Sequence, residues 1–439
     1  MHRWIGAALG AVVAIAGTET ASAADMPVKA PVSRVSNPYN WNGFYIGGHV
    51  GYGFGVAETS APVDTDFFGG RGFLGGVLGG YNYMITPRAL IGVEGDFTWS
   101  DVTYSALAGD GGGTVLSFSL KQKEAYSVRA RFGYLLAPET LLYGTAGWSW
   151  SKFNYFLNVN TFGTDTDTRW LNGPQIGVGV ETMLAPGWIG RLEYLHSFYD
   201  SSSFNAPVVN AFLGTGVDAR PNVGVGRLAL IYNFGPGAPV PWQMPAPTPS
   251  WNGVYVGGGI GAGVANARFE LNNAPPNFID GDGVGIPAIW PTALLGYNWR
   301  VAQRWVIGAE GEIAPGISTA DFSLDWTAAL RGRVGYLLTP STMVFGSAGW
   351  LTSGIRTTSV VGGAVVIPSQ RVNGAQIGGG IETAVTEHWL ARFDYQYAFT
   401  TSLHDVTFNF TPFGTTGTVD ARAQAHCGRL ALVYLFDTR

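Results

Sequence analysis

The chain has 439 residues, 64 of them glycine, with 13% aromatic and only 13% charged residues. That charged share is about half the usual one, which disfavours an ordinary water-soluble globular domain. A formal net charge of −5, with no basic run anywhere, leaves no surface for nucleic acid.

The N-terminus reads as a secretory signal. Arg3 supplies the positive start, Ile5 to Ala16 is a short apolar stretch, and Ala21-Ser22-Ala23 is a small-x-small cleavage site. The apolar stretch is too short to span a bilayer as a helix. Residues 1–23 are therefore expected to be removed, leaving Ala24 first. No cysteine follows the site, which argues against a lipid anchor. Residues 24–40, proline-rich from Pro27 to Pro38, form an expected periplasmic tail. Beyond it no apolar run is long enough for a transmembrane helix; thin, spread hydrophobicity suits a barrel better.

From Trp41 onward the chain repeats once. WNGFYIGGHVGYGFG at Trp41 matches WNGVYVGGGIGAG at Trp251, and GYNY at Gly80 matches GYNW at Gly296. IGVEGDF at Ile91 matches IGAEGEI at Ile307, and RFGYLL at Arg131 matches RVGYLL at Arg333. YGTAGW at Tyr143 matches FGSAGW at Phe345, and NGPQIGVGVET at Asn172 matches NGAQIGGGIET at Asn373. GRLALIYNF at Gly226 matches GRLALVYLF at Gly428. The order is kept from end to end, the mark of a duplication. It gives copy one at 41–235, a linker at 236–250 and copy two at 251–439. The linker's prolines favour extended polyproline II and forbid a sheet ladder.

Within each copy side chains alternate with period two. Leu228, Leu230, Tyr232 and Phe234 share one face, opposite Arg227, Ala229, Ile231 and Asn233. Ile176, Val178 and Val180 oppose Gln175, Gly177, Gly179 and Glu181; Val128, Ala130, Phe132 and Tyr134 oppose Ser127, Arg129, Arg131 and Gly133. The pattern predicts eight strands per copy, in the first at 43–57, 70–82, 89–100, 116–135, 141–157, 169–183, 188–200 and 219–234. Tight connections at Thr86-Pro87, Ala137-Pro138, Ala185-Pro186-Gly187 and Thr339-Pro340 alternate with long ones at 110–113, 164–168 and 201–216. Short periplasmic turns and long outer loops belong to bacterial outer-membrane barrels. The fold expected is all-β: two tandem eight-stranded antiparallel transmembrane β-barrels. The alternative is one sixteen-stranded barrel. The linker disfavours it, because periplasmic turns within one barrel are short, whereas at about 3.1 Å per residue this segment reaches a neighbouring barrel.

WNGFYIGG at Trp41, GYNY at Gly80, RFGYLL at Arg131 and the closing GRLALIYNF resemble the small outer-membrane β-barrel family of alphaproteobacteria, the RopB-like proteins. The resemblance covers nearly all of the chain after the signal, twice. It implies an eight-stranded barrel per copy, architecturally related to the OmpA transmembrane domain, with surface-exposed loops. Two features depart from the family pattern: the second copy, and Asp437-Thr438-Arg439 after the final aromatic Phe436.

The few charges alternate away from the lipid face. In copy one they are Glu94, Asp96, Glu181 and Glu193 with Arg129, Arg131, Arg191 and Arg227. In copy two they are Glu310, Glu312, Glu382 and Asp394 with Arg331, Arg333, Arg392 and Arg429. An Arg on the lipid face near the midplane costs about 2–4 kcal/mol, so these groups belong inside. There each needs a partner, and an eight-stranded barrel leaves room only for side chains. The equal numbers of acids and bases predict a closed salt-bridge network in each lumen. A charged channel lining is the competing reading.

Other chemistry is weakly signalled. The glycine runs Gly47-Gly48 and Gly257 to Gly259 sit within strands, not at a helix start, so they do not read as nucleotide loops. His49, His196, His388 and His426 lack metal-ligand spacing, and the lone Cys427 reads as a small apolar strand residue. His404-Asp405 in a predicted loop could serve a barrel-borne hydrolase, but no partner nucleophile is identifiable. Trp99, Trp148, Trp150, Trp188, Trp350 and Trp389 lie near strand ends, as interfacial girdle residues do. No cofactor or metal is expected. The expected function is that of a structural, surface-exposed outer-membrane protein supporting the envelope, its loops free to meet surface ligands that the sequence does not name. Its expected partners are outer-membrane lipid, lipopolysaccharide and, during insertion, the barrel-assembly machinery. The rivals are a diffusion porin and a barrel enzyme.

Overall fold

The computed structural model describes residues 40–61, 64–109, 115–213, 216–235, 247–272, 280–281, 284–318, 322–357, 367–401, 403–410 and 415–436. The expected signal segment 1–23, most of the tail, the linker up to 246 and the loop at 110–113 lie outside the described residues.

In the first copy the strands are β1 (Gly43–Ala61), β2 (Asp64–Met84), β3 (Ala89–Ser100), β4 (Thr103–Gly109) and β5 (Val115–Ala137). They continue as β6 (Thr140–Val159), β7 (Gly163–Ala185), β8 (Trp188–Phe198), β9 (Ser202–Phe204), the short helix α1 (Pro207–Leu213) and β10 (Val217–Asn233). β4 prolongs β3, and β9 prolongs β8, so the ring has eight staves. Neighbours pair antiparallel throughout. The ring closes where β1 pairs with β10, Tyr45 opposite Asn233 and Ser60 opposite Asp218.

The second copy holds β11 (Gly253–Asn272), β12 (Asp280–Gly281), β13 (Val284–Arg300), β14 (Trp305–Ser318) and β15 (Phe322–Thr339). Then come β16 (Thr342–Thr357), β17 (Ile367–Ala384), β18 (Trp389–Thr400), β19 (Leu403–Phe410) and β20 (Thr415–Leu435). β19 prolongs β18, and β11 pairs with β20 to complete a second ring of eight. Each copy therefore closes on itself. A single sixteen-stranded cylinder would need the last strand of one copy to pair with the first of the other in place of these closures.

Alternation explains why these segments are strands. Leu228, Leu230 and Tyr232 are exposed on β10, whereas Arg227, Ala229, Ile231 and Asn233 beside them are buried. Val128, Phe132 and Tyr134 on β5 are exposed while Ser127, Arg129 and Arg131 are buried. With no water in the bilayer core, only a closed ring satisfies every backbone N–H and C=O of such strands. All six tryptophans read as girdle residues are exposed. The turn before β8 uses Gly187 at φ 76°, a conformation that disfavours any side chain.

Two loop expectations are corrected. Residues 164–168 belong to β7, because β6 and β7 pair as far as Val159 and Gly163 beyond the apolar band. Residues 201–216 contain β9 and α1 in place of an irregular loop. The closing strands also run further than alternation alone suggested, since inter-strand hydrogen bonding persists where the faces become polar.

The rings touch side on. Val180 and Leu192 of the first pack with Ile381 and Phe393 of the second. Tyr194 lies against Gly428 and Tyr395 lies against Gly226, a reciprocal ring-on-glycine fit that a side chain at Gly226 would crowd. At the short-turn end Thr140 and Thr342 share a 2.9 Å hydrogen bond, and Thr339 donates to Glu139 at 2.7 Å. At the other end Asp280 and Gly281 of β12 pair with Leu107 and Ala106 of β4.

Candidate functional site

The charged band lies midway along each ring, on the inward faces of β3, β5, β7, β8 and β10 in the first and of β14, β15, β17, β18 and β20 in the second. Glu94 opposes Arg129 on the neighbouring strand, Glu181 opposes Arg191, and Glu193 opposes Arg227. Strand register alone thus sets three acid–base neighbours. The narrow ring adds pairs across the lumen.

In the first ring Arg129 bridges Glu94 at 2.5 Å and Asp96 at 2.7 Å. Arg131 reaches Glu181 at 2.6 Å and Glu94 at 3.3 Å. Arg191 spans Glu94 at 2.7 Å and Glu181 at 2.6 Å. Arg227 joins Glu193 at 2.6 Å and Asp96 at 3.2 Å. No cation depends on a single anion. The planar fork of arginine makes such bridging possible, where a lysine would present one compact charge.

The second ring repeats the pattern. Arg331 contacts Glu310 and Glu312, each at 2.5 Å. Arg333 contacts Glu382 at 2.9 Å, and Arg392 contacts Glu382 at 2.7 Å and Glu310. Arg429 contacts Glu312 at 2.6 Å and Asp394 at 2.7 Å. Of the sixteen charged residues, all but Asp96 and Glu312 are buried, and those two are largely covered.

Several supporting residues escaped the sequence reading. Tyr45 donates to Glu94 at 2.8 Å and accepts from Arg131 at 2.9 Å; Tyr255 does the same for Glu310 and Arg333 at 2.7 and 2.9 Å. Tyr143 donates to Glu193 at 2.7 Å, and the Arg131 guanidinium sits 4.1 Å from the centre of its ring. Phe345 holds the matching place under Arg333 at 4.2 Å, without a hydroxyl. Gln175 and Gln376 accept from Arg129 and Arg331 at 2.7 and 3.0 Å. The available signal was that Tyr45, Tyr255, Gln175 and Gln376 recur at the same place in both copies on the charge-bearing face.

Below the charges, Trp41 and Trp251 are buried at the short-turn end, their indole N–H groups donating to Pro138 and Pro340 carbonyls at 3.1 and 2.9 Å. The sequence reading took them only as the start of each repeat. Above the charges the rings differ. The first is filled by Tyr104, Phe153, Tyr155, Tyr199 and Phe204, with Val208 of α1 over them. The second contains a cavity of about 130 Å³ at that level.

Other residues play no shared part. His49 and His426 are buried, His196 is half-buried beside Tyr194, and His388 lies at the short-turn end. His404 and Asp405 fall on β19, where side chains lie outside the described ones. Cys427 is buried and borders the second ring's cavity. Among the described residues no group of His, Cys, Asp and Glu is arranged to hold a metal ion.

Comparison with known proteins agrees with this architecture. A family model described as outer membrane protein beta-barrel domain matches residues 11–226. The 31 kDa outer-membrane immunogenic protein of Brucella melitensis is 29% identical over 251 residues, covering 52% of this chain and 98% of that protein. The 25 kDa outer-membrane immunogenic protein of the same organism is 31% identical over 224 residues, covering 49% of this chain and 91% of that protein. A 22 kDa outer membrane protein of Rhizobium leguminosarum is 32% identical over 180 residues, 40% of this chain and 72% of that protein. Each match is about as long as one copy. This chain is an outer-membrane protein, and it belongs to the alphaproteobacterial family of small outer-membrane β-barrels, here carrying two barrels in tandem.

Proposed function

We propose that the protein is a non-conducting, non-enzymatic structural element of the outer membrane, with each lumen plugged by its own charge. The observation that carries this reading is the neutral band of four arginines and four carboxylates across each ring. An ion entering such a band would have to displace buried ion pairs that already satisfy one another. Leaving one charge of a buried pair without its partner costs about 3–5 kcal/mol. The apolar layer of Trp41, Leu90, Leu141 and Ile231 beneath the first band adds a dry barrier.

In this reading the barrels anchor the protein in outer-membrane lipid and lipopolysaccharide after insertion by the assembly machinery. The polar strand extensions and loops form the surface presented outside, supporting the envelope and open to surface ligands. The relatives' names, outer-membrane immunogenic proteins, favour such exposure. Planar-bilayer recording of the purified full chain tests the plug. Silence at voltages that open ordinary porins is expected. Stable, large channels would overturn the proposal and favour a diffusion porin.

A further inference from the structure

The two copies agree at the charged band and part company just above it. Counting from the shared motifs, the copy-one residues Leu195, Tyr199 and Val223 correspond to Gln396, Thr400 and Ala425. Strand pairing confirms the correspondence: Leu195 opposes Val225 as Gln396 opposes Cys427. In the first ring those side chains help fill the lumen. In the second, smaller residues at 400 and 425 leave the 130 Å³ cavity, whose lining also includes Trp290 and Leu351.

The remaining exchange puts an amide into this apolar space. Gln396 is 3% exposed. Gln396 Nε2 donates to Asp394 at 3.3 Å, which aims its Oε1 elsewhere. Gln396 Oε1 is buried and has no hydrogen-bond partner. Gln396 lines the cavity. A buried acceptor without a donor costs about 1–3 kcal/mol, which a ligand hydroxyl would relieve. For scale, an engineered apolar cavity of about 150 Å³ binds benzene.

We infer that the outer half of the second lumen is a binding site for a small neutral ring compound bearing a hydroxyl, of the phenol class. Trp290 and the alkyl walls take the ring, and Gln396 Oε1 accepts from the hydroxyl. Glu312 and Arg429, already paired at 2.6 Å, form the floor. The site is a closed-end cup, not a passage, and it binds whether or not the band below conducts.

The test uses the full chain in detergent, with 4-fluorophenol as probe, fluorobenzene as the donor-free control and fluorine NMR as readout. Wild type should bind 4-fluorophenol saturably, at least tenfold more tightly than fluorobenzene. Thr400→Tyr restores the copy-one residue and should weaken binding at least tenfold. Gln396→Leu should remove most of the preference for the hydroxyl. Ala425→Val provides a second, milder filling should Thr400→Tyr fail to fold, as judged by its gel mobility before and after heating. Equal binding of both probes, or saturable binding that survives the filled variants, would overturn the inference. So would a crystal grown at saturating 4-fluorophenol that shows only water in the cavity.

Discussion

Replacing Arg191 by leucine removes one cation from the first lumen while keeping an apolar body there. Arg191 is 2% exposed and spans Glu94 and Glu181 at 2.7 and 2.6 Å. Neither acid is left wholly alone. Glu94 keeps Arg129 at 2.5 Å, and Glu181 keeps Arg131 at 2.6 Å. Breaking a buried ion pair from one side costs about 3–5 kcal/mol, and these surviving partners place the variant at the lower end, about 3 kcal/mol. Urea unfolding of the protein refolded into lipid vesicles should show it. On a slope of about 1–3 kcal/mol per molar, the midpoint falls by about 1–3 M. Adding Glu181→Gln should recover part of the loss, because the removed negative charge no longer lacks its second partner. A midpoint shift below about 0.3 M would refute the claim that these pairs stabilise the ring.

Three further expectations follow from the same geometry. Leu228→Arg puts a charge on the exposed face of β10, beside inward-facing Arg227, and should cost about 2–4 kcal/mol in the same urea assay. Gly226→Leu drives a side chain into Tyr395, which already stands 3.1 Å from where a Cβ would sit. With a protease site engineered into the linker, wild-type halves should stay together in mild detergent after cleavage and the variant halves should separate. Trp41→Phe removes the donor to the Pro138 carbonyl and should lower stability by about 1–3 kcal/mol, the cost of a buried acceptor left unmatched.

The chain's own alternation determined a good deal. Period two along segments such as 226–234 sorted lipid-facing leucines from inward arginines, because adjacent side chains on a strand must take opposite faces. The repeated motifs set the number of copies, and the short turns at proline and glycine marked one end of each. Strand ends were harder to read, as at 164–168, since hydrogen bonding continues after hydrophobic contrast fades. Alternation likewise placed the charges indoors without saying which acid meets which base.

The folded rings decided the rest. Arg191 meets Glu94 across the lumen although the two lie 97 positions apart, a pairing fixed by ring diameter and stagger. That β1 pairs with β10 and β11 with β20, giving two cylinders and not one, depends on which edges meet in space. The reciprocal seating of Tyr194 and Tyr395 on glycines of the opposite ring carries no periodic signal, because it arises only when two finished surfaces come together. The cavity in the second lumen is likewise a property of volume. Single exchanges such as tyrosine to threonine look ordinary in a row of letters, and only closure around them leaves space unfilled.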